Sequence, residues 1–249
     1  LNKLPFPAWD ILPNERYWKI GRPHGGGQTI RGKELKYVSM MTSRGCPFAC
    51  SFCHIADETI NSISGAIGRF RIKSDERVKK ELLYLRDEIG AKQIFIEDDS
   101  IFGMKRRAIR LLKSITGLGL DLLDVNGVNT MHLVKKSNKP GWMVPDEELI
   151  ELLAEVGFKE IVLPFESANP RIIKKWCSNK LALERFNPGD LIQKINKYKI
   201  NIEFIIYNYK WDFRKHSDLR QQRKATSGTR SLDIRAGYEV RRATARRPT

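Results

Sequence analysis

The chain has 249 residues, with 45 Lys and Arg against 29 Asp and Glu, a formal net charge of +16 and 41% hydrophobic residues. That length suits one large domain or two small ones, and the hydrophobic share is ordinary for a chain that buries a core. No apolar run approaches the roughly 18 to 20 residues a membrane-spanning helix needs, and four cysteines are too few for a disulfide framework in a chain this long.

The charge is unevenly spread. Residues 210–249 carry twelve basic and four acidic groups, so half of the surplus lies in the last forty positions. Residues 1–36 are rich in Pro, Gly and aromatics and predict an extended lead-in or linker. From Tyr37 a β/α rhythm begins, and YVSMMT predicts a strand that leads directly into a cysteine-rich loop. Residues 74–89 place Val78, Leu82, Leu85 and Ile89 on one helical face. Ser74 is the expected N-cap, Asp75 and Glu76 suit the first turn, and Gly90 can close the end.

The run QIFIED predicts a second strand, with a helix over 105–115 after it. A third strand near 122–125 precedes a helix over 146–156 that Gly157 ends. EIVLPFE is the fourth strand, a broken helical region covers 170–175 and 188–198, and IEFIIY at 202–207 is the fifth. Five strands alternating with helices imply parallel pairing through right-handed crossovers, hence a barrel-like or doubly wound α/β sheet. After Tyr207 no period of 2 or 3.6 persists, and residues 209–249 predict a basic, disordered tail.

The chemistry concentrates in SRGCPFACSFCHI, where Cys46, Cys50 and Cys53 stand at C-x3-C-x2-C spacing. A structural zinc site needs four ligands, and His54, adjacent to Cys53, is a poor fourth. CSFCH formally matches a c-type haem attachment signature, and CSFC a thioredoxin-like redox pair, but both leave Cys46 idle. A [4Fe–4S] cluster on three thiolates uses all of them and leaves one iron with an open position.

A C-x3-C-x2-C loop after the first strand, with aromatic Phe52 just before the last Cys, resembles the radical S-adenosylmethionine (SAM) superfamily over residues 1–208. The lead-in LPFPAWDILPNERY followed by SRGCPFACSFC is most similar to the subgroup associated with a cobalamin-binding domain. The resemblance implies a partial (β/α)6 TIM-like barrel, here truncated after the fifth strand, with lead-in 1–36, core 37–208 and tail 209–249. It implies that Cys46, Cys50 and Cys53 hold the cluster and that SAM chelates the fourth iron and is cleaved to a 5′-deoxyadenosyl radical. Phe52 would lie near the adenine, and Glu97 or Asp98 would accept hydrogen bonds from the SAM ammonium. Asn129, Glu166 and Ser167 would contact the ribose or carboxylate. Glu166 and Ser167 match the family's Glu-Ser pair, although Pro164-Phe165 and Ala168-Asn169 replace the small residues around it.

The absence of a second cysteine cluster from this sequence argues against members that need an auxiliary one. Relatives of this subgroup perform cobalamin-dependent methyl transfer or oxidative cyclisation, with a flavodoxin or ferredoxin as reductant and a small-molecule or peptide substrate. No cobalamin-binding signature lies in these residues. With no export signal visible, the expected location is cytoplasmic; the start at Leu1 also reads as that of a fragment. Two other readings stand beside this one. The basic tail could mark a nucleic-acid-binding module with a structural metal, and an incomplete barrel could be catalytically inactive.

Overall fold

A computed structural model describes residues 1–20, 36–60, 63, 65–167, 169–177, 180, 183–209 and 238–244. A single 3-10 turn at Trp9–Ile11 precedes α1 (Asn14–Ile20), β1 (Tyr37–Met40), β2 (Ser43–Arg44), α2 (His54–Ile60) and β3 (Arg71–Ile72). The β/α units continue with α3 (Asp75–Asp87), β4 (Gln93–Ile96), α4 (Lys105–Ile115) and β5 (Asp121–Asp124). A short hairpin, β6 (Val134–Lys136) and β7 (Met143–Pro145), leads to α5 (Glu147–Val156) and β8 (Phe158–Glu166). Then come α6 (Pro170–Trp176), α7 (Pro188–Lys197), β9 (Asn201–Tyr209) and β10 (Tyr238–Thr244).

Strands β1, β4, β5, β8 and β9 lie side by side in that order and pair in parallel. This is the expected open α/β sheet of a partial barrel, with its parallel run reaching five strands. All five predicted strands and the five predicted helical segments are present, with boundaries shifted by at most four residues. α2 and the β6–β7 hairpin had no clear periodic signal, because both lie in segments too short to establish one.

The tail departs from a wholly disordered one in a single described segment. Tyr238–Thr244 pairs antiparallel with β9, from Tyr238 opposite Tyr209 to Thr244 opposite Glu203. Aromatic and β-branched residues in YEVRRAT suit a strand, and the β9 edge offers unpaired backbone groups to it. The rest of 210–249, and residues 21–35 of the lead-in, lie outside the described residues.

Strand alternation sorts the sheet into two faces. Val38, Met40, Ile94, Ile96, Leu122, Ile161, Leu163, Ile202 and Phe204 join the main core with the helices. Val78, Leu82 and Leu85 of α3, Leu111 and Leu112 of α4, and Ile150 and Leu153 of α5 supply its other half. Each such side chain, when fully buried, contributes about 1.5–3 kcal/mol of transfer free energy. On the opposite face, Phe95, Leu123 and Val125 form a smaller cluster with Tyr37. That is the inner face of the open barrel.

The helix ends follow the sequence signals. Ser74 Oγ accepts from Arg77 N at 3.2 Å, and Asn169 and Asn187 cap α6 and α7 just before a proline in each. Gly157 ends α5 at φ +106°, and an added Cβ would lie 2.4 Å from Leu120 O, so a side chain there meets both strain and a clash.

The lead-in is held by α3. Arg77 donates to the carbonyls of Asn2, Leu4 and Pro5 at 3.2, 2.6 and 2.8 Å, and its guanidinium stands 4.4 Å from the Phe6 ring centre. Its Nε also reaches Glu81 Oε1 at 2.6 Å, while Lys73 reaches Oε2 at 2.5 Å. Glu81 is fully buried, and these two cations are its partners there. Trp9, 4% exposed, inserts into the main core. Among the described residues no helix is long and apolar enough to cross a membrane.

Removing the guanidinium leaves Glu81 with one partner and frees three carbonyls. Arg77→Ala is expected to lower stability by about 2–3 kcal/mol, read by urea denaturation, and to speed proteolysis within residues 1–13.

Candidate active site at the cysteine loop

The cysteine loop leaves the C-terminal end of β1, the end where parallel α/β barrels build their sites. Its base is fixed by carboxylates at the end of β4. Glu97, Asp98 and Asp99 are consecutive in sequence but have three separate roles. Asp98 follows Ile94 and Ile96 on the helix-facing side and is completely buried. Its Oδ1 accepts from Thr42 N at 2.6 Å, and its Oδ2 accepts from Thr42 Oγ1 and Ser43 Oγ at 2.6 and 2.5 Å. Burial pushes the Asp98 pKa upward, against these bonds and the nearby Arg107 guanidinium.

Arg107, 1% exposed, in turn donates to Thr42 Oγ1, Thr42 O and Lys73 O at 3.0, 3.1 and 3.0 Å. Asp98 is therefore enclosed, with both carboxylate oxygens engaged by Thr42 and Ser43. Asp99 Oδ2 accepts from Gly45 N at 2.8 Å and holds the loop one residue before Cys46. Glu97 follows Phe95 on the inner face, where Ser39 Oγ donates to its Oε1 at 3.1 Å. Of the pair Glu97 and Asp98, only Glu97 presents its carboxylate to the barrel interior.

The loop itself is packed against a turn of the segment before β3. Gly45 has φ +76°, and an added Cβ would lie 2.3 Å from Gly68 O and 2.4 Å from Arg69 O. Cys46 N donates to Gly68 O at 3.2 Å. Cys53 N donates to Cys50 O at 2.9 Å, and Cys53 immediately precedes α2, whose first residue is the exposed His54. His54 thus opens a helix. Phe52 is half-buried in the loop.

All four cysteines are free thiols. Cys46, Cys50 and Cys53 are neighbours close enough that each of the other two raises the Cys50 pKa. Burial is the main cause there and pushes the Cys50 thiol up to about 11, against the pull of Lys180. Burial also raises Cys46. Among the described residues no group of three His, Cys, Asp or Glu side chains is gathered closely enough to hold a metal ion as it stands. A zinc ion with Zn–S bonds of about 2.3 Å would draw its sulfurs to about 4 Å of one another. Three thiols on one loop fit, by donor type, the thiolate ligation of an iron–sulfur cluster, whose binding would displace their protons.

Across the sheet, β8 ends at Glu166 in the left-handed region, φ +62°, where a non-glycine residue costs roughly 1–2 kcal/mol. A register shift between Pro164 and Glu166 accompanies it. Glu166 is 7% exposed; its Oε1 accepts from Lys180 Nζ and its Oε2 is buried without a hydrogen-bond partner. Ser167, also buried, accepts from Asn169 N at 3.1 Å through Oγ. Glu166 raises the pKa of Cys50, so the loops after β1 and β8 face each other.

Asn129 Oδ1 accepts from Met131 N at 3.3 Å, which makes it the cap of the turn Thr130–His132 after β5. Asn126 Nδ2 donates to Glu97 O at 3.0 Å. Sequence reasoning assigned no role to three residues that the fold brings here. Lys180 and Cys177 come from beyond α6 to lie near Cys50 and Glu166; Cys177, mainly through burial, is pushed up to about 12. His132 lies between Phe48 of the cysteine loop and Phe102, with ring centres 5.7 and 5.9 Å away. Burial lowers its pKa to about 4, so its imidazole is neutral. Nothing in their local sequence marks these residues, because each is recruited by a long-range contact.

The radical SAM superfamily model matches residues 40–202. The chain belongs to the radical SAM superfamily. It is 30% identical over 185 residues to the cytidylyl-2-hydroxyethylphosphonate methyltransferase of Streptomyces wedmorensis, covering 74% of this chain and 30% of that protein. It is 33% identical over 177 residues to an uncharacterized methyltransferase of Pyrococcus horikoshii, covering 70% of this chain and 31% of that one. The solved structure of the radical SAM methyltransferase TsrM from Kitasatospora setae, with cobalamin and a [4Fe-4S] cluster bound, shares the fold. Its TM-score is 0.51 at 18% identity, over 76% of this chain and 31% of TsrM. The chain therefore spans about a third of the length of these relatives. The matched range of this radical SAM chain runs from the end of β1 into β9 and contains all three loop cysteines.

Glycine at position 45 is tested against Gly90, which has φ +77° but nothing within 4 Å of an added Cβ. Gly45→Ala is expected to cost at least about 2 kcal/mol more than Gly90→Ala and to speed hydrogen exchange at Cys46. Thermal unfolding and amide exchange read the two effects.

A second expectation concerns Asp124, which is completely buried and accepts from Val162 N at 3.2 Å. Burial raises its pKa to about 7. The folded chain thus binds this proton more tightly than the unfolded one, and its contribution to stability falls as pH rises from about 4 to about 7. Asp124→Asn should remove that decline, so the variant gains on the wild type across this window in denaturation measured at stepped pH.

Proposed function

We propose that residues 37–208 form the core of a radical SAM enzyme, with 1–36 as its lead-in, and that Cys46, Cys50 and Cys53 hold a [4Fe–4S] cluster. Three free, mutually neighbouring thiols on one glycine-constrained loop after β1 carry this reading. When bound, the cluster and SAM supply a one-electron reductive cleavage that yields methionine and a 5′-deoxyadenosyl radical. The protein's part is to hold the reactants, orient them and keep water away.

Glu97, on the inner face with Ser39, is suited to accept from the SAM ammonium. Glu166 Oε2 is a desolvated acceptor directed to a hydroxyl or amine of the ligand, since an unpaired buried carboxylate oxygen carries a desolvation cost that a ligand donor relieves. Ser167 and Asn129 border the same end of the sheet, at the ends of β8 and β5, and complete the polar contacts to ribose and carboxylate. Phe52 offers an aromatic face from within the cysteine loop. Asp98 keeps the loop in place without touching the cofactor.

The methyltransferase names of the relatives support methyl transfer as the reaction class, and the TsrM likeness makes cobalamin a candidate second cofactor. Oxidative cyclisation remains the other chemistry of the expected subgroup. A cytoplasmic flavodoxin or ferredoxin would deliver the electron, and the acceptor is a small molecule or peptide.

Anaerobic reconstitution with iron and sulfide should give the broad visible absorbance of a [4Fe–4S] protein and, after reduction, an electron paramagnetic resonance signal that SAM shifts. Alanine at Cys46, Cys50 or Cys53 should abolish both, while Cys177→Ala should retain them. A spectrum indifferent to SAM would sink the proposal.

A further inference from the structure

Glu166 and Lys180 form a buried ion pair at the mouth of the barrel, with side chains 9% and 13% exposed. Lys180 is not loosely placed. Its Nζ also donates to Pro164 O at 3.4 Å, two residues before the carboxylate it holds. The end of α6 is tied to the cysteine loop, since Ser51 N and Oγ both donate to Trp176 O, at 3.2 and 3.3 Å, and Lys180 N donates to Cys177 O at 2.7 Å. The pair consumes one carboxylate oxygen and leaves the other enclosed and without a partner.

This asymmetry matters. A carboxylate pinned at one oxygen has its second oxygen fixed in direction, and a buried acceptor already stripped of water forms a stronger bond to a ligand donor than a solvated one. Without a nearby cation, burial would favour the protonated acid, which presents a donor where an acceptor is needed.

We propose that Lys180 is a positioning residue of the cofactor site, pinning Glu166 through Oε1 so that Oε2 remains an anionic, oriented acceptor for SAM. The inference rests on Glu166 belonging to the SAM site. Lys180 acts through Glu166 and touches no reacting atom. Its ammonium also stands near the thiols of Cys50 and Cys177, and it draws the pKa of both downward.

The test is SAM affinity, measured by calorimetry on the anaerobically reconstituted full chain. Lys180→Met should weaken binding about tenfold, the scale of one charged hydrogen bond, and Lys180→Arg should restore most of it. In a Glu166→Gln background, Lys180→Met should change affinity by less than about twofold, because the group it orients is gone. Thermal unfolding of each variant identifies any that fail to fold, and Lys180→Gln then takes the place of Lys180→Met. Full affinity in Lys180→Met, or the same loss in both backgrounds, overturns the role of Lys180. Unaltered affinity in Glu166→Gln overturns the placement of Glu166 itself, which is a separate result.

Discussion

The cysteine loop depends on one buried carboxylate. Asp98, at the end of β4, accepts the backbone N–H of Thr42 and the hydroxyls of Thr42 and Ser43, so it fixes the chain just where β1 gives way to the loop. Arg107 stands behind this contact and ties Thr42 to Lys73, which joins the loop base to the start of α3. A buried acid of this kind is costly unless it is fully bonded, and breaking such a pair typically loses about 3–5 kcal/mol. The network is thus both a structural necessity and the datum from which Gly45, Asp99 and Cys46 are placed.

On that base the loop carries three thiols, and burial raises the pKa of Cys46 and of Cys50. Three thiolates held this close would repel one another, whereas thiols that gave up their protons only to a bound metal would avoid that repulsion. The facing loop after β8 brings Glu166, buried and paired with Lys180. The two sides of the mouth are electrically joined through Cys50, whose pKa feels Lys180 and Glu166 alike.

Much of this was legible in the chain order of residues. The stripe Val78, Leu82, Leu85 and the cap Ser74 define α3 with no tertiary information, because helix periodicity and capping are local. The five parallel strands followed from short apolar runs separated by helices. The C-x3-C-x2-C spacing singled out the loop, and the Glu-Ser pair singled out Glu166 as a candidate. The run IFIEDDS is where local reasoning stops. Three adjacent acids look interchangeable in sequence, yet strand alternation sends Glu97 inward and Asp98 toward the helices, and only the neighbouring strand and α4 decide which is consumed.

The sequence by itself determined the β/α order, the capped helices and the spacing of the three loop cysteines, since each rests on positions a few residues apart. Tertiary structure decided the rest. It engaged buried Asp98 with Thr42 and Ser43, set Glu166 in a left-handed conformation, and brought Lys180 and Cys177 to Cys50 across more than 120 positions of chain. It also gave Tyr238–Thr244 a strand partner in β9. The physical reason is the same in each case: burial and pairing depend on what packs opposite a residue, and no local pattern encodes that.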